Sequence, residues 1–399
     1  MATILLTGEL GSGWGHHARL STFRGLTATG HQVFAAVRDA NDWQLFLGPA
    51  IRMFTAPRIA TGGTAIIPHA HSFAHLLHNV GFGDAQALKQ ALQNWRLLYE
   101  EIRPDIIVAD HSPTALLAAR GAGITRILIG TGFTVPRPET PFRNLRHWSP
   151  LAPATLIEFE LQLLEIVNQV LRDFHQPLLS SLSGLYTDVE YTSLQTYREL
   201  DPYGERSGVT YDGICFSDGG GAPRWPSGRG PRVFAYLKEF PALEPLLKLL
   251  RDRRFSTIVV CNDIQPQRVQ QFASDTLRIE TLPIELGQVS TEAELAILNG
   301  GHGATAAMLL AGTPILQLPV SLERTLNAHH SAKLDAAICC PPDNPRRIAE
   351  SLEKILSCDR WTLGAKKFAQ RYADLDFKQT PQRLTEIVAT FANQSDHAS

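Results

Sequence analysis

The chain has 399 residues, of which 44% are hydrophobic and 19% charged, enough for two or three domains with real cores. Lys and Arg number 37 against 39 Asp and Glu, a net charge of −2, so no basic excess draws the chain to nucleic acid. No apolar run reaches membrane-helix length, and the apolar start at Thr3 to Leu6 meets Glu9 and a glycine run too soon for a secretory signal. A cytoplasmic protein without an integral membrane segment is expected.

Thr3 to Leu6 reads as a short buried strand. A glycine-rich turn follows, then a helix from about His17 to Thr29, ended by Gly30, and a strand from His31 to Val37. Asp105 to Asp110 is a clear strand, Ser112 to Ala122 the helix after it, and Ile124 to Ile129 another strand. Such alternation predicts a parallel sheet covered by helices. Leu156 to Phe174 carries apolar residues at helical spacing. Residues 216–231 are rich in glycine and proline and read as a flexible linker.

The alternation then resumes. Strands are expected at Arg232 to Leu237, Ser256 to Cys261, Arg278 to Thr281 and Leu295 to Leu298, with a helix from Leu243 to Asp252. Final helices run from Pro345 to Leu356, Trp361 to Tyr372 and Pro381 to about Phe391. The expected division is residues 1–215, the linker 216–231, residues 232–375, and a C-terminal helix and tail over 376–399. Open parallel sheets bind ligands beyond the carboxyl ends of their strands. Two such edges facing each other would form a cleft.

Two turns carry the chemistry of the C-terminal half. After the strand ending at Leu298 comes Asn299-Gly300-Gly301-His302-Gly303-Ala304-Thr305, a glycine turn opening a helix. Free backbone N–H groups at a helix N-terminus attract a diphosphate. Thr305 adds a hydroxyl, and His302 could reach the phosphates or face solvent. Pro319 to Asn327 then brings Glu323 and Arg324, groups suited to sugar hydroxyls. Ser321 is a plausible cap there, and an acid in a first turn suits the helix dipole without any sugar.

In the N-terminal half, Gly15-His16-His17 opens a helix just after a strand. A neutral imidazole suits the removal of a hydroxyl proton. Asp110, at the end of its buried strand, can orient that ring, or can cap the next helix together with Ser112. His69, His71, His75 and His78 cluster within Thr61 to Gly83, with the last three on one predicted helix face. That spacing can bind metal, but no nearby acid or cysteine completes a set, and an acceptor-side segment is the stronger reading. The cysteines Cys215, Cys261, Cys339, Cys340 and Cys358 show no CxxC spacing, so reduced thiols and no metal site are expected. Gly11 and Gly13 with Asp39 suggest a dinucleotide fingerprint, whose third glycine would fall on His16 and be obstructed.

Taken together these motifs resemble the GT-B glycosyltransferases, specifically UDP-glucosyl/glucuronosyl transferases and bacterial natural-product glycosyltransferases. Gly15-His16 with Gly30-His31-Gln32-Val33 is similar to that family's "GH … GH.V" start, and Pro104 to Asp110 resembles its "PD.vv.D". Gly300 to Thr305 and Pro319 to Asn327 resemble its "hGG.GT" and "P…DQ..N". The sequence departs at Asn299, where a histidine is common, and at Ala304, which holds the place of the closing threonine, with Thr305 one place later. It departs too at Glu323-Arg324, at Arg19 in place of a proline, and at Leu237-Lys238 in place of small residues.

The resemblance implies an α/β fold of two facing Rossmann-like, doubly wound domains, with the C-terminal helix returning to the N-terminal domain. It implies an inverting, metal-independent transferase using a UDP or dTDP sugar as co-substrate, with no cofactor, on a small-molecule acceptor. His16 would be the base and Asp110 its partner. Gly300, Gly301, His302, Gly303, Ala304, Thr305, Glu323 and Arg324 would bind the donor. Gly15, His17, His71 and His75 would lie on the acceptor side. A nucleotide-sugar epimerase of the same fold, and a non-catalytic homologue that binds a nucleotide sugar or activates a partner, are the alternatives.

Overall fold

The computed structural model describes residues 1–11, 13–60, 62–216, 219–375 and 379–395. Ser12 of the first glycine turn, Thr61, residues 217–218 of the expected linker, and residues 376–378 and 396–399 of the C-terminal segment lie outside that set. The chain divides into two compact units. One comprises Met1–Thr196, Glu205–Gly213 and Lys378–Ser399, and the other Tyr197–Gly204 and Ile214–Phe377.

Among the described residues the first unit holds six strands: β1 (Thr3–Gly8), β2 (Gln32–Val37), β3 (Arg52–Thr55), β4 (Ile106–Asp110), β5 (Thr125–Gly130) and β6 (Tyr191–Leu194). They pair in parallel in the order β3-β2-β1-β4-β5-β6. β4 is buried at every residue, the mark of a strand covered on both faces. One cover is the helix Ala85–Ile102, which the sequence reading passes over. Asp84 caps its start, accepting from the N–H groups of Gln86 and Ala87. It buries Leu88, Ala91, Leu92, Trp95, Leu98, Tyr99 and Ile102, one face at helical spacing.

The second unit repeats the plan with β7 (Arg232–Tyr236), β8 (Ser256–Val260), β9 (Leu277–Glu280), β10 (Leu295–Leu298), β11 (Ile315–Gln317) and β12 (Ala337–Cys339). Its order is β12-β11-β10-β7-β8-β9, again parallel throughout. Read from β9, this is the same doubly wound order as in the first unit. The chain is therefore an α/β protein with two Rossmann-type sheets.

Two segments differ from expectation. The first helix spans Trp14–Ser21 and tightens into a 3₁₀ turn over Thr22–Thr29, with Gly30 left-handed at φ 83°. The glycine- and proline-rich stretch expected as a flexible linker is bonded to the second unit over its described part. Gly221 donates to Pro283 O at 2.9 Å, Trp225 Nε1 to Glu292 Oε2 at 2.6 Å, and Arg229 N to Arg254 O at 2.8 Å.

The last helix, Gln379–Ser395, is part of the first unit. Thr385 Oγ1 donates to Thr22 O and Thr380 Oγ1 to Asp212 O, each at 3.3 Å, and Arg383 pairs with the buried Asp212. Leu384, Val388 and Ala392 supply its buried face. Pro381 sits in its first turn, where a missing N–H costs nothing.

Candidate active site

In this sheet order the switch point lies at the carboxyl ends of the first and fourth strands of each unit, and ligands collect there. In the first unit those ends are Gly8 and Asp110, in the second Tyr236 and Leu298. Most of the functional candidates fall at these two places.

In the first unit, His16 enters from the helix Trp14–Ser21 and Asp110 from the end of β4. His16 Nδ1 lies 2.8 Å from Asp110 Oδ2. Arg19, one helical turn on, donates through Nε to Asp110 Oδ1 at 3.1 Å, and its Nη2 lies 2.6 Å from His16 Nδ1. Asp110 is fully buried and His16 keeps 16% of its side chain exposed. Burial works to raise the Asp110 pKa, but Arg19 and His16 outweigh it and hold the carboxyl down at about 2.

The capping alternative for Asp110 does not hold. The following helix, Pro113–Ala119, is capped by Glu9, whose Oε2 accepts the Thr114 N–H at 3.0 Å. Glu9 N donates in turn to Ser112 Oγ at 2.8 Å. Both Asp110 oxygens are thus left to His16 and Arg19.

Sequence reasoning missed three neighbours. Arg19 is one. His111 is another: its left-handed backbone (φ 49°) brings its ring into a stacked position 5.9 Å from that of His16. Burial and the nearby His16 push its pKa down to about 3. The third is Gly11, where an added Cβ would meet His16 Nδ1 at 2.5 Å. The run of glycines was the signal for Gly11; nothing in the sequence pairs Arg19 with Asp110.

The acceptor-side assignments need correction. His17 does not face the site. It is 6% exposed, edge-on to Trp43 at 4.2 Å and stacked on Phe46 at 4.6 Å. Burial, with His16 adding, takes its pKa down to about 4. It is a core residue. Gly15 is exposed at the helix start.

His71, His75 and His78 do not share a helix face, because the helix Phe73–Leu77 begins after His71. His75 Nδ1 accepts the His71 backbone N–H at 3.0 Å, and its ring packs on Phe159 at 4.4 Å. Both are buried. His78 reaches Ala65 O at 3.1 Å and, like His75, packs its ring on Phe159, at 5.5 Å. No group of three or more metal-ligating residues is gathered among the described residues.

In the second unit a shallow pocket opens at the switch point. It is lined by Tyr236, Leu237, Lys238, Leu298, Asn299, Gly301, Ala304 and Arg324. The helix His302–Leu310 starts there, and its N-cap, Gly301, offers no side-chain cap. Its first N–H groups therefore point at whatever enters. A Cβ on Gly301 or Gly303 would meet nothing within 4 Å, so both face open space.

Gly300 is different. It adopts φ 80°, and a Cβ there would lie 2.4 Å from Arg324 O, so glycine is needed to seat the helix Leu322–Lys333 against the turn. Asn327 Nδ2 completes that seat by donating to Gly300 O at 3.0 Å.

Of the acidic–basic pair, Arg324 lines the pocket, while Glu323 sits half-buried beside it in the first turn. Ser321 caps that helix by accepting the Arg324 N–H at 3.4 Å. His302 is buried at the start of its helix. Thr305 does not offer its hydroxyl to the pocket. It is fully buried, and Oγ1 accepts from Gln317 Nε2 at 3.1 Å. Ala304 is the residue at the pocket wall.

Asn299, in place of a histidine, also has a structural task. Its Nδ2 donates to Leu318 O at 2.7 Å and its Oδ1 accepts the Lys238 N–H at 2.5 Å. It ties together the loops that leave β7 and β11.

No protein-family profile matches the chain. Sequence and structural neighbours agree nonetheless. The chain is 24% identical over 329 residues to a PGL/p-HBAD biosynthesis glycosyltransferase of Mycobacterium tuberculosis, covering 76% of this chain and 74% of that one. Its fold is similar to that of the kitacinnamycin glycotransferase, with TM-score 0.70, 18% identity and coverage of 98% and 99% of the two chains. It is similar also to glycosyltransferase VinC, solved in complex with DTDP, with TM-score 0.68, 15% identity and coverage of 99% and 100%. The chain has the GT-B fold, and the proteins it is similar to are glycosyltransferases.

Proposed function

We propose that the chain is an inverting transferase. It moves a sugar from a nucleoside-diphosphate donor to a hydroxyl of a small-molecule acceptor. The acceptor hydroxyl loses its proton to Nε2 of His16 as its oxygen attacks the anomeric carbon. The bond from that carbon to the diphosphate breaks on the opposite face, and the nucleoside diphosphate leaves. Asp110 fixes the ring through Nδ1 and stabilises the imidazolium formed. The observation that carries this reading is the 2.8 Å contact between His16 and a buried carboxylate held ionised at about 2.

The donor's diphosphate is assigned to the second unit. The uncapped start of the helix His302–Leu310, the open face of Gly301 and the cationic residue Arg324 meet at one pocket. They supply N–H groups and positive charge where the leaving group gains negative charge. The DTDP bound by VinC supports a nucleoside diphosphate there, and thymidine diphosphate is the first ligand to try. We assign no metal to the reaction.

A thermal-shift titration tests this. Thymidine or uridine diphosphate should stabilise the protein, by roughly 2.7 kcal/mol at ~100 times the dissociation constant, and EDTA should leave the effect intact. Stabilisation that disappears on chelation would replace this mechanism with a metal-bridged one.

A further inference from the structure

We propose that Arg19 is a positioning residue that decides which nitrogen of His16 carries the imidazole proton. Two groups crowd one atom: Asp110 Oδ2 lies 2.8 Å from His16 Nδ1, and Arg19 Nη2 lies 2.6 Å from it. An imidazole nitrogen has one in-plane position. It holds either a proton, which donates to the carboxylate, or a lone pair, which accepts from the guanidinium. Arg19 has no acceptor and cannot be deprotonated, so the two short contacts are alternatives.

Each alternative fixes the far side of the ring. With the proton on Nδ1, Asp110 is satisfied and Nε2 keeps a lone pair. With the proton on Nε2, Nδ1 accepts from Arg19 and no lone pair remains at Nε2. A histidine–aspartate pair alone favours the first state. Arg19 supplies a charge-assisted partner for the second. Through Nε it also occupies Asp110 Oδ1 at 3.1 Å, weakening the carboxylate's pull on the ring.

The other groups around the ring do not compete. His17 is on the same helix and His111 follows β4; both are neutral near pH 7, because burial takes their pKa values down to about 4 and about 3. Gly11 presents only backbone. The choice therefore lies between Asp110 and Arg19. The consequence for catalysis rests on His16 being the base: the ring is armed when the guanidinium leaves Nδ1 and the proton moves, through water, from Nε2 to Nδ1.

The test is ¹⁵N NMR of the full-length protein with labelled histidine at alkaline pH, with His16 assigned by the His16→Ala variant. In the wild type, the His16 resonances should report a substantial Nε2–H population. In Arg19→Gln they should move to the Nδ1–H pattern, and Arg19→Lys, which keeps a cationic donor, should return them toward the wild type. The same Nδ1–H pattern in wild type and Arg19→Gln would overturn the proposal. If Arg19→Gln does not fold, the wild type decides alone, since a pure Nδ1–H ring there is the contradicting result. Kinetics supply the second readout. Arg19→Gln should raise kcat with the donor KM unchanged, whereas a loss of kcat without a tautomer change marks Arg19 as structural. Should His16→Ala retain turnover, the base assignment falls while the NMR comparison still decides the role of Arg19.

Discussion

Gly11 stands against the imidazole of His16 so closely that a Cβ at Gly11 would lie 2.5 Å from Nδ1 and 2.6 Å from Cγ. The ring keeps its place beside Asp110 because residue 11 has no side chain. Gly11→Ala should therefore push the ring away from Asp110. A misplacement of about 1 Å at a reacting group costs on the order of 10²-fold in rate, while overpacking costs ~1–3 kcal/mol of stability. Steady-state kinetics beside a denaturant titration check this. A stable Gly11→Ala protein with wild-type kcat would show that the ring's position is not critical.

His17 is next to His16 in sequence but lies in an aromatic box with Trp43 and Phe46. Its pKa falls from 6.5 to about 4, chiefly through burial. Between these values the unfolded chain binds a proton that the folded protein refuses. The stability associated with this group is present above pH 6.5 and lost as pH falls through about 4. His17→Phe keeps an aromatic ring in the box and removes the titration. Relative to wild type, the variant should gain ~3 kcal/mol between pH 6.5 and 4, read from urea curves at several pH values, and should keep its turnover. Loss of turnover without loss of stability would return His17 to the site.

Glu9 has the opposite sign. Burial raises its pKa from 4.5 to about 7, against the hydrogen bonds from Thr114. Between these values the folded protein keeps a proton that the unfolded chain has released. Stability is fully present below pH 4.5 and declines as pH rises through about 7. Glu9→Gln retains an oxygen to accept the Thr114 N–H and cannot ionise. At pH 8 it should be more stable than wild type by up to ~3 kcal/mol, and the two should converge near pH 4. Parallel pH–stability curves for the two proteins would contradict this.

Arg324 lines the second unit's pocket together with a second cationic residue, Lys238, and stands where resembling sequences carry an amide. Arg324→Gln should shift catalytic efficiency between neutral and acidic sugar donors by ~1–3 kcal/mol, the range of one hydrogen bond to a charged group. Its helix keeps the Ser321 cap, which uses the Arg324 backbone N–H, so the melting temperature should move little. An unchanged donor ranking would exclude Arg324 from donor choice.

The parallel sheets were legible because their central strands are buried on both faces. Ile106 to Asp110 and Leu295 to Leu298 are apolar runs closed by turn residues. β3 was not legible: its four residues are half-buried or exposed and start with Arg52, so no run or strict alternation marks them. β6 is a short edge strand ending in Ser193 and Leu194. The site was legible where function coincides with a strand end, as at Asp110, or a glycine turn, as at Gly300 and Gly301. It was misread where one helical step decides. Successive residues on a helix differ by about 100°, which turns His17 into the core behind His16, and turns Thr305 onto Gln317 while Ala304 faces the pocket. Arg19 was hidden for another reason: its partner Asp110 is 91 positions away, and only the pairing of β1 with β4 brings the two together.

Whether His16 removes the acceptor's proton is read from the turnover of His16→Ala, with donor affinity measured on the same protein. The diphosphate is assigned to the second unit and the proton transfer to the first. His16→Ala should therefore lose ~10²–10⁴-fold in kcat, the usual worth of a general base, with nucleoside-diphosphate affinity nearly unchanged. A folded His16→Ala enzyme that turns over at the wild-type rate would contradict it.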